Sequence, residues 1–558
     1  MQSLSTLVLA ALLITSVLFY LHRYILSLYT FPHIPSARLA RLSPLWLTLQ
    51  ARRHRRYAAV HDLHSRLGPL VLIAPNHVSI AASEAIGVVY GHRGGWVKSD
   101  FYDAFVSVRR GLFNTRDRAE HTRKRKYVSH VFSAKSISEF EPFIRANLRL
   151  FVEKWNALCN TTSDGAAHGE GSGSSCSSKQ TKIKPETAAK GWTVIDCLPW
   201  FNYLAFDIIG DLAFGAPFGM LEKGRDEARI ESLDGKAATT SPAVDILNRR
   251  GEASATLGCM IWLKPWAHWL PDPFFRSGTQ AVKDLSGIAV ARVNKRLAEV
   301  NEKDGDVSGR QDLLARLMEA KDENGEKLGR EELTAEAATQ LIAGSDTTSN
   351  TSCAGLYWIC RTDGVLERMQ RELDEALTNC KGDSQSNQDR ADINIPTFEQ
   401  VKDLPFLRAV INENLRIHST ASIGLARIVP PSGATILDTY FPPGTVLSVP
   451  TYTIHHSPAI WNPDNDPAFS PDVFNPDRWA PKRMTKLQKE SFIPFSQGPR
   501  ACVGRNVAEM ELFLIFATVC ALFNVVGLEG GDGKGELETR EGFLRKPVRN
   551  VVGIKKRK

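Results

Sequence analysis

The chain has 558 residues, 43% of them apolar and 23% charged, which excludes a disordered polymer and a small disulfide-stapled module. Its nine cysteines are odd in number and scattered without a CxxC pair, so a reducing compartment fits better than a secreted disulfide framework. The formal charge of +8 falls to +4 without the four basic residues Lys555–Lys558, too diffuse for a nucleic-acid partner.

Leu4 to Leu21 is an almost unbroken apolar run, about the minimum length for a bilayer span. A cleavable signal peptide would need a basic start, a shorter apolar core and a small-x-small cleavage site. None is present, because the run closes on Phe19, Tyr20 and Leu21. Residues 1–29 are therefore expected to form a retained transmembrane helix. Arg23, Arg38, Arg41, Arg52, Arg53, Arg55 and Arg56 all follow the run and no basic residue precedes it. The positive-inside rule then leaves the remaining chain on the cytosolic face of an internal membrane, the endoplasmic reticulum. Pro32 and Pro35 make a stiff connector into the next region.

Residues 30–554 read as one catalytic domain, mainly α with small β-sheets, and 555–558 as a basic tail. Helical patterns cover about 119–155, 201–214, 276–301, 330–361, 364–378, 403–417 and 503–523. Short strand patterns occur at Leu70 to Ile73 and Val446 to Val449. The Ser/Gly-rich stretch about 160–186 reads as a flexible surface insertion, since chemistry-bearing motifs lie on both sides of it. Lys381 to Asp392 is a second polar loop. Trp262, Trp266 and Trp269 leave two readings open, core packing or a membrane-facing aromatic patch.

The most informative segment is FSQGPRACVGR at 495–505, just before a strongly helical stretch. Cys502 is expected at a helix N-terminus, where backbone N–H groups stabilise a thiolate. A lone thiolate makes a poor zinc site, because zinc takes four ligands. It suits a flat macrocycle that supplies the other four donors itself. All five fixed positions of F-x-x-G-x-R-x-C-x-G are met, a coincidence on the order of one in ten thousand for a chain this long. The segment resembles the haem-thiolate loop of the cytochromes P-450.

That resemblance implies the P-450 fold, with haem b between a long central helix and the helix after the cysteine loop. Cys502 would be the axial iron ligand, with Gly344, Phe495, Arg500 and Gly504 around the cofactor. Upstream, the run Ala343-Gly344-Ser345-Asp346-Thr347-Thr348 lies in a helical pattern. The Thr347 hydroxyl can compete for the Ala343 carbonyl, locally opening the helix beside Gly344. By resemblance, Asp346 and Thr347 are the acid–alcohol pair that delivers protons for dioxygen reduction. Glu413 and Arg416 form E-x-x-R, which the family joins to Arg478 in a buried structural triad. Arg427, Arg500, His121 and Arg125 would serve the haem propionates, although His121 stands where many members have Trp. The remaining cations of the run Arg123-Lys124-Arg125-Lys126 would help to dock an acidic reductase.

The implied cycle uses O2 and electrons from NADPH, passed on by a separate NADPH–cytochrome P-450 reductase, with cytochrome b5 as a second candidate donor. Residues 98–126, 201–221, 334–353 and 492–511 are most similar to fungal benzoate para-hydroxylases. The expectation is 4-hydroxylation of benzoate or a close small aromatic carboxylic acid, with Tyr102, Arg109, Arg110 and Asn114 as candidate substrate contacts. A monooxygenase of another aromatic or xenobiotic substrate, a haem-thiolate isomerase or dehydratase, and a non-enzymatic haem sensor remain as alternatives.

Overall fold

The computed structural model describes residues 2–132, 137–164, 191–231, 238–302, 312–320, 325–379, 394–528 and 537–557. Most of the Ser/Gly-rich insertion and the whole polar loop Lys381 to Asp392 lie outside the described residues. Helices dominate, as the sequence patterns require. Those that matter for function are α1 (Gln2–Thr30), α2 (Arg118–Val131), α3 (Cys197–Phe214), α4 (Ala243–Cys259), α5 (Pro273–Glu302), α6 (Arg330–Ile359), α7 (Pro405–Ile417) and α8 (Arg505–Leu522).

α1 occupies the position of the expected anchor. Among the described residues, no helix is long and apolar enough to cross a membrane. The single helix expected over 119–155 is two, because a new one starts at Glu141, where Pro142 fits a first turn that needs no N–H donor. Helix α4 was not expected at all: Arg249, Arg250 and Gly251 interrupt its apolar pattern. The aromatic patch is also decided in part. Trp262, Trp266 and Trp269 are 59%, 61% and 72% exposed, so they do not pack in the core.

Central helix α6 has no one-sided apolar stripe, as befits a helix buried on every side. Glu331 and Glu332 in its first turn complement the positive helix end. It packs along α3, and the approach at Gly344 is close: a Cβ there would lie 2.6 Å from Ile209 Cδ1. Helix α7 starts on Pro405, and its first-turn N–H groups at Phe406 and Leu407, which have no partner within the helix, donate to Glu372, each at 2.8 Å.

Five strands form the principal sheet in the order Leu70–Ala74, His77–Ile80, Val446–Ser448, Arg427–Ile428, Val97–Lys98. His77–Ile80 and Val446–Ser448 run parallel, and the other neighbours are antiparallel. The register sets Lys98 directly opposite Arg427. Directly opposite residues project to one face, so the edge of this sheet presents two cations side by side. A three-stranded sheet ends the chain. Its strand Val551–Lys556 takes in Lys555 and Lys556 of the expected basic tail, pairing Lys555 with Asn524.

Candidate active site

The cysteine loop is shaped by its own backbone. The Cys502 N–H donates to the Phe495 carbonyl at 3.0 Å, and Ala501 N–H to Gly498 at 3.0 Å. Gly498 has φ of +71°, and a Cβ there would lie 2.0 Å from the Tyr90 carbonyl oxygen. Only glycine fits that turn. A Cβ on Gly504 would meet Phe132 alone, at 3.8 Å, so this side of the loop stays open.

Cys502 is a free thiol exposed to a cavity of about 600 Å³, not to the outer surface. Helix α8 begins three residues later, at Arg505, and the expected low thiol pKa is not found. Burial raises the Cys502 pKa above that of an ordinary thiol, outweighing the Gly504 N–H, Arg125 and Arg505, which pull it down. A metal ion would have to complete the deprotonation, as coordination does outright.

Above the loop, the Thr347 hydroxyl donates to the Ala343 carbonyl at 2.6 Å, as its spacing predicts. The competition does not open the helix, because α6 is continuous from Arg330 to Ile359. Asp346 and Thr347 both line the cavity but engage different partners. Lys546 Nζ donates to Asp346 Oδ2 at 2.5 Å and to Asn248 Oδ1 at 2.7 Å. The neighbouring Thr348 hydroxyl donates to Glu511 Oε2 at 2.6 Å. Lys546 and Glu511 were not singled out from the sequence, since 200 and 163 residues separate them from their partners.

Burial pushes the Glu511 pKa up from 4.5 to about 7, with the Thr348 hydrogen bond opposing. A carboxyl with a raised pKa favours the folded state only while protonated. The sign of the linkage is therefore negative: stability falls as pH rises from about 4.5 to about 7, by up to about 1.4 kcal/mol per pH unit. Glu511→Gln is expected to flatten that slope, read from urea midpoints at pH 5 and pH 7.5. An unchanged slope would show that Glu511 ionises freely in the folded protein.

One wall of the cavity is strongly cationic. Lys98, Arg427 and Arg500 line it, and Arg125 approaches from α2. Arg427 is 2% exposed and donates only to neutral oxygens, those of Tyr102 (3.2 Å), Ala426 (3.1 Å) and Leu425 (3.4 Å). Arg500 donates to the carbonyls of Thr115 and Arg116 at 2.5 and 2.9 Å, and Arg125 to that of Ala501 at 2.6 Å. Burial, then Arg427, Arg500 and Arg125, holds the Lys98 pKa well below its ordinary value. Burial and the same cations bring His121 down to about 3, so it is a neutral imidazole here and can offer one N–H. Among the described residues no carboxylate lies within 4.0 Å of these four cations. Such a cradle fits a dianionic group, which is what the two propionates of haem provide. The open side of Gly504 and the cavity-facing Cys502 fit the rest of the cofactor. Lys98, absent from the sequence candidates, belongs to this set.

The triad forms as expected. Arg416 donates to Glu413 through Nε (2.9 Å) and Nη2 (2.8 Å), and Arg478 Nε donates at 3.2 Å. Burial alone would raise the Glu413 pKa, but the two arginines and the Asn475 N–H bring it below the usual carboxylate value. Arg416 also donates to the His455 carbonyl at 2.8 Å. The Ile493 N–H donates to His455 Nε2 at 3.0 Å, which makes that nitrogen the acceptor and Nδ1 the donor to Ser419. The triad is thereby tied to the start of the cysteine loop.

The other sequence candidates separate. Tyr102 is buried at the cavity wall, with its hydroxyl accepting from Arg427. Arg109 lines the cavity but is exposed, and Arg110 is paired with Asp103 outside the lining. Asn114 lines the cavity with its amide N–H committed to the Phe105 carbonyl at 3.1 Å. The basic run of α2 is not a continuous docking face. Arg123 is paired with Glu120 and Glu332, Lys124 is 3% exposed against the same acids, and Arg125 faces the loop. Lys126 alone of the four is exposed, because helical periodicity turns the others inward.

A thiol presented by a glycine-shaped loop beneath a long buried helix, beside a cationic cradle, defines a haem-thiolate protein. The cytochrome P450 family model matches residues 173–554, and the chain belongs to that family as a P450 monooxygenase. It is 54% identical over 527 residues to benzoate 4-monooxygenase bphA of Aspergillus niger, covering 94% of this chain and 92% of that protein. A cytochrome P450 monooxygenase of Aspergillus flavus is 28% identical over 86% of this chain and 84% of its own. Another, from Penicillium roqueforti, is 29% identical over 87% and 82%.

Proposed function

We propose that this enzyme hydroxylates benzoate, or a close aromatic acid, at the 4-position, consuming O2 and two electrons from NADPH and releasing water. The observation that carries the reading is 54% identity to a benzoate 4-monooxygenase across nearly the whole chain. The cavity agrees with it: Phe105, Phe113 and Phe543, with centroids 5.1–5.7 Å apart, make an aromatic wall for a flat ring. Haem, held by Cys502 Sγ and the cationic cradle, would supply the oxygen chemistry that protein side chains lack. The Thr347 hydroxyl and the Asp346 carboxylate, reached through Lys546, would manage protons in the same cavity. Electrons would come from a separate NADPH–cytochrome P-450 reductase, with cytochrome b5 as a second donor.

The same reading places the enzyme at the cytosolic face of the endoplasmic reticulum. Its support is the exposed apolar surface of α1, including Leu18, Phe19 and Leu21, and the exposed tryptophans after α4. The activity test is direct. Haem-loaded enzyme with reductase, NADPH and benzoate is expected to form 4-hydroxybenzoate. No such product, while another substrate turns over, would overturn the assignment.

A further inference from the structure

The cations lining the cavity can be sorted by what they already hold. Lys546 is paired with Asp346 at 2.5 Å, Arg540 with Glu252 at 2.7 Å and Arg249 with Asp245 at 2.7 Å. Lys98, Arg427 and Arg500 belong to the cradle beside Cys502, and Arg109 is exposed.

Arg250 remains. It lies on α4, lines the same cavity as Gly344, Thr347 and Cys502, and is 6% exposed. Its Nη2 donates to the neutral Phe105 carbonyl at 2.9 Å. Its Nε is buried without any hydrogen-bond partner, and among the described residues no carboxylate lies within 4.0 Å of it. Burial brings its pKa down to about 10, with the more distant Asp346 opposing.

A second unpartnered donor belongs to a residue that lines the cavity from the central helix. Gln340, one turn before Gly344, is 8% exposed with a buried and unpartnered Nε2. A buried guanidinium without a counter-ion is costly, and an incoming anion would offset that cost. The planar guanidinium fork also matches the geometry of a carboxylate. Phe105, whose carbonyl holds Arg250, has its ring in the aromatic wall, so charge recognition and ring packing meet at one residue.

We propose that Arg250, assisted by the Gln340 amide, is the counter-ion that binds the substrate's carboxylate and so restricts this cavity to aromatic acids. The inference rests on the aromatic-acid reading above and supplies the recognition element that the reading lacks.

The test measures binding of aryl carboxylates (benzoate and substituted benzoates) and of their neutral amides to haem-loaded full-length enzyme by calorimetry. Wild type, Arg250→Gln, Arg250→Lys and Gln340→Leu are compared. Arg250→Gln is expected to weaken carboxylate binding about 10- to 100-fold and amide binding less than about 3-fold. Arg250→Lys should recover part of the loss, and Gln340→Leu should give a smaller selective loss. Equal losses for acid and amide would mean that Arg250 only supports the fold, and no loss would overturn the proposal outright. If Arg250→Gln does not fold, the wild-type preference decides: about tenfold or more for acid over amide supports the proposal, and no preference sinks it. An Arg250-dependent response to other aryl carboxylates but not to benzoate would retire benzoate alone and leave the recognition role standing.

Discussion

Replacing Glu413 with alanine is expected to cost the folded enzyme about 3–5 kcal/mol, the toll of breaking a buried ion pair by removing one partner. Glu413 is fully buried and accepts from Arg416, Arg478, Trp479 Nε1 at 2.9 Å and the Asn475 N–H at 3.0 Å. Its removal leaves two guanidiniums, each at most 2% exposed, without their charge partner. The damage should spread to the site, because Arg416 anchors His455 and His455 receives the Ile493 N–H that starts the cysteine loop. Urea unfolding checks the stability loss. The carbon monoxide difference spectrum of the reduced protein checks whether haem keeps its thiolate ligand. Glu413→Gln keeps the shape and part of the hydrogen bonding, so it should fall between alanine and wild type. A loss below about 1 kcal/mol for Glu413→Ala would mean that the arginines' backbone acceptors suffice.

Thr347→Ala should separate electron use from product formation. The hydroxyl is held against the Ala343 carbonyl at 2.6 Å, on a residue that lines the same cavity as Cys502, and makes no contact that fixes the fold. Haem loading and NADPH consumption are expected to stay within about twofold of wild type. Product per NADPH should fall by at least about tenfold, within the range of a lost proton-transfer group. Hydrogen peroxide should account for the missing electrons. Thr347→Ser, which keeps a donor at that place, should restore most of the yield. Unchanged product per NADPH in Thr347→Ala would remove the proton-delivery role and reopen the sensor and isomerase alternatives.

The chemistry of the site was legible where residues act through short spacing. Phe495, Gly498, Arg500, Cys502 and Gly504 lie within ten residues, and the backbone of one loop decides their geometry. Thr347 and Ala343 are one helical turn apart, so the hydrogen bond between them follows from the period of the helix. Glu413 and Arg416 are likewise on one face, whereas their union with Arg478 was carried by family likeness and the fold bears it out. Charge runs misled. Arg123 and Lys124 read as a docking face, yet two acids, one of them more than 200 residues away, claim them both.

By itself the sequence determined the cysteine loop, the central helix with its acid and alcohol, and most helix positions, because those depend on neighbours a few residues away. Only the tertiary structure decided which charges are spent and which are free. Sheet register sets Lys98 against Arg427, 329 positions further along the chain. The strand at Arg545–Pro547 delivers Lys546 to Asp346, and an unforeseen helix brings Arg250 into the same cavity as Gln340. The physical reason is common to all three. A buried charge is defined by the partner it lacks or holds, and partners are assembled by packing, which spacing along the chain does not encode.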